Sequence, residues 1–546
     1  MNSQGLRGIP LEGAAIWIAL ASVAVFVVWF AIRLPDIVVG PYGNSDVASS
    51  LLLAEFYGDK GSGALVLGNY PWLEGLLPLH WTRWVPDHVA FWKAAPYLIY
   101  AGAVLLAGWT VRRVSSSWRA GLVVVLAMAA PAPGVIYMLG VPDQRLPLFG
   151  HTILAAAFLV TLPAVARRRR RWQLLWAAGL AVTLAPAVAT DQLTYPAAVL
   201  PFLGAAALGW LLKVIRLEVA ALAAGACLAG VVGGRLLWAL AESQDIAYNH
   251  GAFEAAGSGR VLSNAGLLLE NVAQFAHGVF ADGEVPIDAF FATREILGIA
   301  AIAAVLLFGY VVARAMGPIL RDTARPAEQR LLLAFWLISI VAISLAFVIT
   351  TAPFGLNAVR YVTTLWPALL TLIVIVYGRP AITGLALLAA LCAVMGCWTL
   401  ERGLYTPATG EPPTVQEADL VGRFAAENHL DHGYAGYWDA APISVQSDFK
   451  ARVYPIELCG PNVNTYCPFY LHQIEGWYQP KQGVRSFFVV NGLPLEPATR
   501  PPPAAWGRPF KTAQLGDLTV YAFDYDISSH FQKLEPGATA PAPPVQ

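Results

Sequence analysis

A carboxylate in a polar, aromatic-rich stretch between two apolar segments has the setting of a general base, and Asp46 is such a residue. It ends the run Pro41-Tyr42-Gly43-Asn44-Ser45-Asp46, ahead of apolar residues that recur at helical spacing from Val47 to Phe56. A carboxylate here can take a proton from an acceptor hydroxyl while a leaving group departs. The same pattern lets Ser45 or Asp46 cap an amphipathic helix, and capping does not exclude catalysis. Glu74, in Tyr70-Pro71-Trp72-Leu73-Glu74, offers a hydrogen bond to sugar hydroxyls with Trp72 as a stacking face, or is the exposed acid of an interfacial aromatic anchor.

A second group carries charge at the ends of apolar segments. Asp143, Gln144, Arg145 and His151 cluster at the start of one segment, and Asp191 closes the next. Asp143 and Arg145 can form an ordinary surface pair, but ionisable groups at membrane depth are costly and usually face a cavity. Arg360 stands in Asn357-Ala358-Val359-Arg360-Tyr361, where a guanidinium either snorkels to headgroups or meets a phosphate, whose geometry it matches. Arg235 and Arg294 are weaker cases of the same kind. Asp46, Arg360 and His151 are expected to share one cavity. Should a divalent metal take part, Asp46 is the ligand in view, with no certain second one.

These residues need elements to hold them, and composition says which. The chain has 546 residues, 57% hydrophobic and 13% charged. Soluble domains carry about 25% charged residues. The apolar residues fall in blocks near the roughly 20 residues that span a bilayer. The chain therefore reads as a polytopic α-helical membrane protein. Eleven spans are expected, at about 14–32, 94–111, 120–139, 148–166, 174–190, 195–212, 219–240, 296–313, 331–350, 359–377 and 382–399. Arg112-Arg113, Arg167–Arg171, Lys213 with Arg216, the Arg314–Arg330 group and Arg379 mark every second connection. The positive-inside bias then puts the N-terminus in the cytoplasm, with the long loops 34–93 and 241–294 and the C-terminus outside. The first apolar run is too long for a signal peptide and no small-residue cleavage site follows it, so it reads as a retained helix.

Residues 1–400 form the expected membrane domain, 401–537 a water-soluble α/β domain and 538–546 a disordered tail. Within the α/β domain a helix is expected over 415–428 and strands over 434–438, 452–456, 486–490 and 518–523. Cys459 and Cys467 are expected to pair if that domain is outside the cell. Zero net charge gives no case for nucleic-acid binding. No P-loop, zincin histidine pair, Cys-x-x-Cys or Gly-x-Ser-x-Gly elbow occurs, and Gly61-Ser62-Gly63 is followed by Val66, which fails the dinucleotide pattern.

The layout as a whole resembles the GT-C superfamily of membrane glycosyltransferases, with many helices, a large first outer loop bearing an acid, and a soluble C-terminal domain outside. It looks closest to the bacterial protein mannosyltransferase and aminoarabinose transferase group, which use polyprenyl-phosphate sugars. By position, Asp46 matches the first-loop catalytic acid, and Arg360-Tyr361 is similar to the late arginine that meets the donor phosphate. That group often shows two adjacent acids, whereas Ser45 and Val47 flank Asp46 here. The resemblance implies a multi-pass enzyme of the bacterial cytoplasmic membrane. It would move a sugar, with inversion, from a lipid-linked donor to an envelope glycan, lipid or protein. Arg145 and Arg235 would assist Arg360 at the phosphate. Trp72, Glu74, Asp143, His151 and Asp191 would shape the sugar and acceptor pocket. The rival readings are a transporter or flippase for a lipid-linked sugar, and a polymerase or ligase of preassembled glycans.

Overall fold

The computed structural model describes residues 11–42, 45–60, 63–67, 72–130, 145–248, 255–275, 326–351, 356–401, 413–459, 465–492 and 500–532, with scattered positions between 310 and 325. In chain order the elements are α1 (Leu11–Tyr42), α2 (Ser45–Glu55), β1 (Leu65–Leu67), α3 (Leu77–Trp81), α4 (His88–Ser115), α5 (Trp118–Ala129), α6 (Leu146–Val165), α7 (Arg170–Thr190), α8 (Leu200–Leu211), α9 (Leu217–Glu242), β2 (Ile246–Tyr248) and α10 (Ser258–Gln274). Then follow α11 (Ala327–Ile349), α12 (Leu365–Tyr377), α13 (Arg379–Glu401), α14 (Val415–Glu427), β3 (His432–Gly436), α15 (Tyr437–Gln446), β4 (Val453–Cys459), β5 (Thr465–Pro468), β6 (Gln473–Ile474), β7 (Ser486–Asn491), β8 (Lys511–Leu515) and β9 (Leu518–Phe523).

Two compact units result. The first comprises residues 1–33, 95–238 and 252–405; the second comprises 34–94, 239–251 and 406–546. The first is helical. Among the described residues seven helices are long and apolar enough to cross a membrane, and α5, α12 and the run from Tyr195 to Leu211 are shorter apolar helices. The chain is thus a multi-pass membrane protein, and ten of the expected spans have a helical counterpart among the described residues. The eleventh, 296–313, falls almost wholly outside them.

Small residues set the helix spacing. A Cβ on Gly234 of α9 would meet Val188 Cβ at 2.7 Å and the Ala185 carbonyl oxygen at 2.8 Å, so α7 and α9 touch backbone to backbone. Ser339 of α11 donates to the Ala197 carbonyl at 3.0 Å, satisfying a buried hydroxyl across the bundle.

One expected span begins elsewhere. Residues 356–361 form a 3₁₀ turn and α12 starts only at Leu365. Pro367 explains the shift: with no N–H to give to residue 363, it is tolerated only in the first helical turn.

The second unit holds a six-stranded mixed sheet, ordered β5-β4-β3-β7-β9-β8, with β4, β3 and β7 parallel. Gly433 lies so close to the Phe487 ring that a Cβ there would sit 2.3 Å from it. The core gathers Val421, Phe424, Ile443, Val453, Phe487 and Val520 from helices and strands. Thr414 and Glu417 form a reciprocal capping box that starts α14. The expected strand over 434–438 ends early, because Tyr437-Trp438-Asp439 opens α15. Gly436 is its N-cap and Asp439 puts negative charge in the first turn, where the helix dipole favours it. Cys459 and Cys467 are joined by a disulfide across the β4–β5 hairpin.

The first long loop belongs to this unit. Its strand β1 pairs with β2 in parallel and with β6 antiparallel, making a small sheet from three distant parts of the chain. Helix α2 is buried along its length, from Val47 to Ala54.

Candidate functional site

Helices α6 and α7 form an antiparallel hairpin, so the start of α6 and the end of α7 lie at the same end of the helical unit. Arg145 precedes α6 and Asp191 follows α7, and Arg145 Nη1 donates to Asp191 Oδ2 in a close ion pair. Their side chains are only 7% and 14% exposed. The other carboxylate oxygen, Oδ1, accepts the Leu193 N–H at 2.9 Å, which fixes the acid on its turn.

Tyr361 joins this pair to a second arginine. The Arg145 guanidinium carbon lies 5.2 Å from the centre of the Tyr361 ring, and that of Arg360 lies 5.1 Å from the same centre. Arg360 Nη2 also donates to the Tyr361 hydroxyl at 3.2 Å. Tyr361 itself is buried. One phenol ring thus carries two cations, and Asp191 pairs with Arg145. Further along, Arg235 of α9 places its guanidinium 5.8 Å from the ring centre of Tyr195, in the π turn that leads into α8. His151 lies within α6, partly buried.

The charges run against the local backbone. Arg145 sits at the positive N-terminal end of α6 and Asp191 at the negative C-terminal end of α7. Each placement costs its helix on the order of 0.3–1 kcal/mol, an amount the ion pair offsets. Helix stability therefore does not explain these residues. A guanidinium pair around a phenol is suited to a phosphate.

Asp46 belongs to the other unit, as the second residue of α2; its side chain lies outside what the structure describes. What is described is how firmly α2 is held. Ser45 Oγ donates to the Tyr437 carbonyl at 2.6 Å. At the far end Glu55 accepts from Arg83 at 2.9 Å and pairs with His88 at 3.0 Å. Trp72 and Glu74 lie in the π turn Trp72–Leu76 of the same unit, Trp72 buried and Glu74 half-buried. Asp143, Gln144 and Arg294 lie outside the described residues.

Sequence reasoning did not single out Tyr195, Arg83 or His88. Nor did it find a buried network in the sheet domain, where His432, Tyr434 and Asp526 meet. Tyr434 Oη and His432 Nε2 are 2.9 Å apart, and His432 Nε2 lies 3.3 Å from Asp526 Oδ1. Burial pushes the Asp526 carboxyl up, but hydrogen bonding and charge from His432, with the N–H groups of Ser528 and Lys481, outweigh it and bring the pKa to about 2. The signal was only the His-x-Tyr alternation of a strand. Among the described residues no three His, Cys, Asp or Glu side chains gather as a metal site.

In fold the chain is similar to the apo crystal structure of the Archaeoglobus fulgidus oligosaccharyltransferase. The TM-score is 0.41 at 13% identity, over 90% of this chain and 70% of that one. It is also similar to the archaeal oligosaccharyltransferase AglB of that organism, in complex with an inhibitory peptide and a dolichol-phosphate. There the TM-score is 0.37 at 13% identity, over 80% of this chain and 64% of that one. No family model and no curated protein matches the chain.

Proposed function

We propose that the protein is a membrane glycosyltransferase of the GT-C kind, moving a sugar from a polyprenyl-phosphate donor to a cell-envelope glycan, lipid or protein. The observation that carries this reading is the Arg145–Asp191 pair joined through Tyr361 to Arg360, charged groups set against their helix dipoles at one end of the bundle. Arg360 and Arg145 bind the donor phosphate, Asp191 orients Arg145, and Arg235 on Tyr195 contacts the lipid-linked donor. In the reaction the acceptor oxygen bonds to the anomeric carbon as the bond from that carbon to the phosphate oxygen breaks. Asp46 takes the acceptor proton, and polyprenyl phosphate leaves with the electron pair, its charge stabilised by the guanidinium groups. Attack opposite the leaving group inverts the anomeric centre. Trp72, Glu74 and His151 shape the sugar and acceptor pocket. The chemistry runs on the extracytoplasmic face of a bacterial cytoplasmic membrane, where the positive-inside pattern puts the C-terminal domain.

The test is transfer in nanodiscs from a panel of radiolabelled polyprenyl-phosphate sugars to envelope extract. Wild type is expected to transfer label, while folded Asp46→Asn and Arg360→Ala do not. Equal transfer by Asp46→Asn removes it as the base. Movement of a lipid-linked sugar across the bilayer without transfer replaces the enzyme reading with a transporter.

A further inference from the structure

Helix α4 carries a continuous exposed stripe. Leu98 and Leu105 are 71% and 62% exposed, Trp109 is 40% exposed, and Arg112, Arg113 and Ser116 are exposed beyond them. Their spacing of three, four and seven residues places the five helical ones on one face, and Ser116 follows the last turn. At 1.5 Å per residue the stretch from Leu98 to Arg112 spans about 21 Å, more than the roughly 15 Å of one hydrocarbon leaflet. Gly102 lies on the same face, and a Cβ there would meet nothing within 4 Å. Apolar surface thus leads without interruption into a cationic end.

That end has a shape. Trp109, Arg112, Arg113 and Ser116 line an open cavity of about 400 Å³. The Arg113 guanidinium carbon stands 5.9 Å from the centre of the Trp109 ring, which leaves its N–H groups for another partner. The neighbouring Arg119 is already paired with Glu12 at 3.0 Å. Arg112 and Arg113 have no carboxylate partner among the described residues. The helix C-terminus and the positive-inside bias favour cations at this end. Neither accounts for two guanidinium groups without a carboxylate partner among the described residues and a hydroxyl lining one cavity at the end of an acyl-length apolar track.

We infer that this face of α4 binds one anionic glycerophospholipid, its phosphodiester held by Arg112 and Arg113 and its acyl chain lying along Leu105 and Leu98. Charge complementarity selects the anionic headgroup, and the Trp109 indole lies at the depth where an amphipathic ring bridges headgroup and chain. The site is separate from the Arg145–Asp191 cluster and does not depend on sugar transfer.

Native mass spectrometry of the full chain, titrated in detergent with phosphatidylglycerol or phosphatidylcholine, tests the assignment. One tightly held phosphatidylglycerol is expected on wild type. Its affinity should fall about thirtyfold in Arg112→Gln/Arg113→Gln, the loss of two surface cations' attraction for an anionic lipid. Arg168→Gln/Arg169→Gln, which removes two other basic residues, should leave it unchanged. Monodisperse elution of each variant certifies folding, and Arg112→Lys/Arg113→Lys should retain part of the binding. Equal loss in the control pair, equal binding of phosphatidylcholine, or unchanged binding in the glutamine variant overturns the site. Displacement of the lipid by millimolar inorganic phosphate assigns the cavity to free phosphate instead.

Discussion

Ser45 Oγ donates a hydrogen bond of 2.6 Å to the Tyr437 carbonyl, 392 residues further along the chain. Through it the first long loop is fastened to the opening turn of α15. The helix that begins at Ser45 carries Asp46 in its first turn and is buried along its apolar length. For the base proposed above, such a mounting would hold the carboxylate within reach of an acceptor hydroxyl.

Ser45→Ala should therefore loosen α2 without unfolding the unit. Loss of one buried hydrogen bond costs about 1 kcal/mol, which speeds amide exchange in the first turns of α2 about fivefold. Ser45→Thr keeps the hydroxyl and should restore protection. If Asp46 is the base, Ser45→Ala also lowers kcat for sugar transfer while KM holds.

The Arg145–Asp191 pair should behave as a coupled unit. Removing either partner alone strands a nearly buried charge and destabilises by about 3–5 kcal/mol. Arg145→Met/Asp191→Leu together should cost much less than the sum, a difference read by thermal denaturation of the four proteins in detergent. Additive losses would mean that the two charges do not depend on each other.

Acid should weaken the sheet domain in two stages. Burial pushes His472 down from 6.5 to about 3, so the unfolded chain binds the proton more readily between those values. Its contribution is complete above about pH 6.5 and declines by about 1.4 kcal/mol per pH unit as pH falls towards 3. Asp526, lowered from 3.8 to about 2, contributes fully above about pH 3.8 and loses that contribution as pH falls through 2. His472→Gln should remove the upper part of the slope and leave the lower part. Urea denaturation followed by tryptophan fluorescence across pH 3 to 7 reads the first stage directly.

The disulfide should be worth about 2–3 kcal/mol by the chain-entropy estimate for so short a loop. Cys459→Ala/Cys467→Ala should lower the denaturation midpoint of the sheet domain by a matching amount. The cysteines of the helical unit give an internal control: Cys227 and Cys392 are buried, and their replacement by alanine should not alter the response to reductant.

The helices were legible because a bilayer demands about 20 apolar residues in sequence, and few soluble elements imitate that. Strands β7 and β9 were legible for a similar reason, since Ser486–Val490 and Leu518–Phe523 are dense in aromatic and β-branched residues. By contrast β1, β2 and β6 have two or three residues each, and what defines them is a partner hundreds of positions away. Helix α10 was hidden in a loop that reads as polar. Its Asn264 amide reaches the Val348 and Thr350 carbonyls at 3.1 and 2.8 Å at the end of α11, a cap that only tertiary placement supplies. In the candidate site, Arg360 drew notice as a cation where the expected charge bias disfavours it, and Arg145 as one of a charged cluster at the start of an apolar segment. That they share the Tyr361 ring could not be read, because no local pattern links a residue near 145 to one near 361.

The small sheet of β1, β2 and β6 imposes an order on synthesis. Ala64 gives its N–H to Glu475 at 3.0 Å, 411 residues downstream. At ribosomal speeds of about 5–20 residues per second, that partner is made about 20–80 s after the loop that awaits it. For that interval α2 has no α15 to cover it, and its leucines stand bare. A chain halted before residue 437 would keep its described apolar helices yet present this apolar helix to any passing chaperone or protease. The segment from Tyr437 to Ile474 is thus the lock on a loop translated near the beginning.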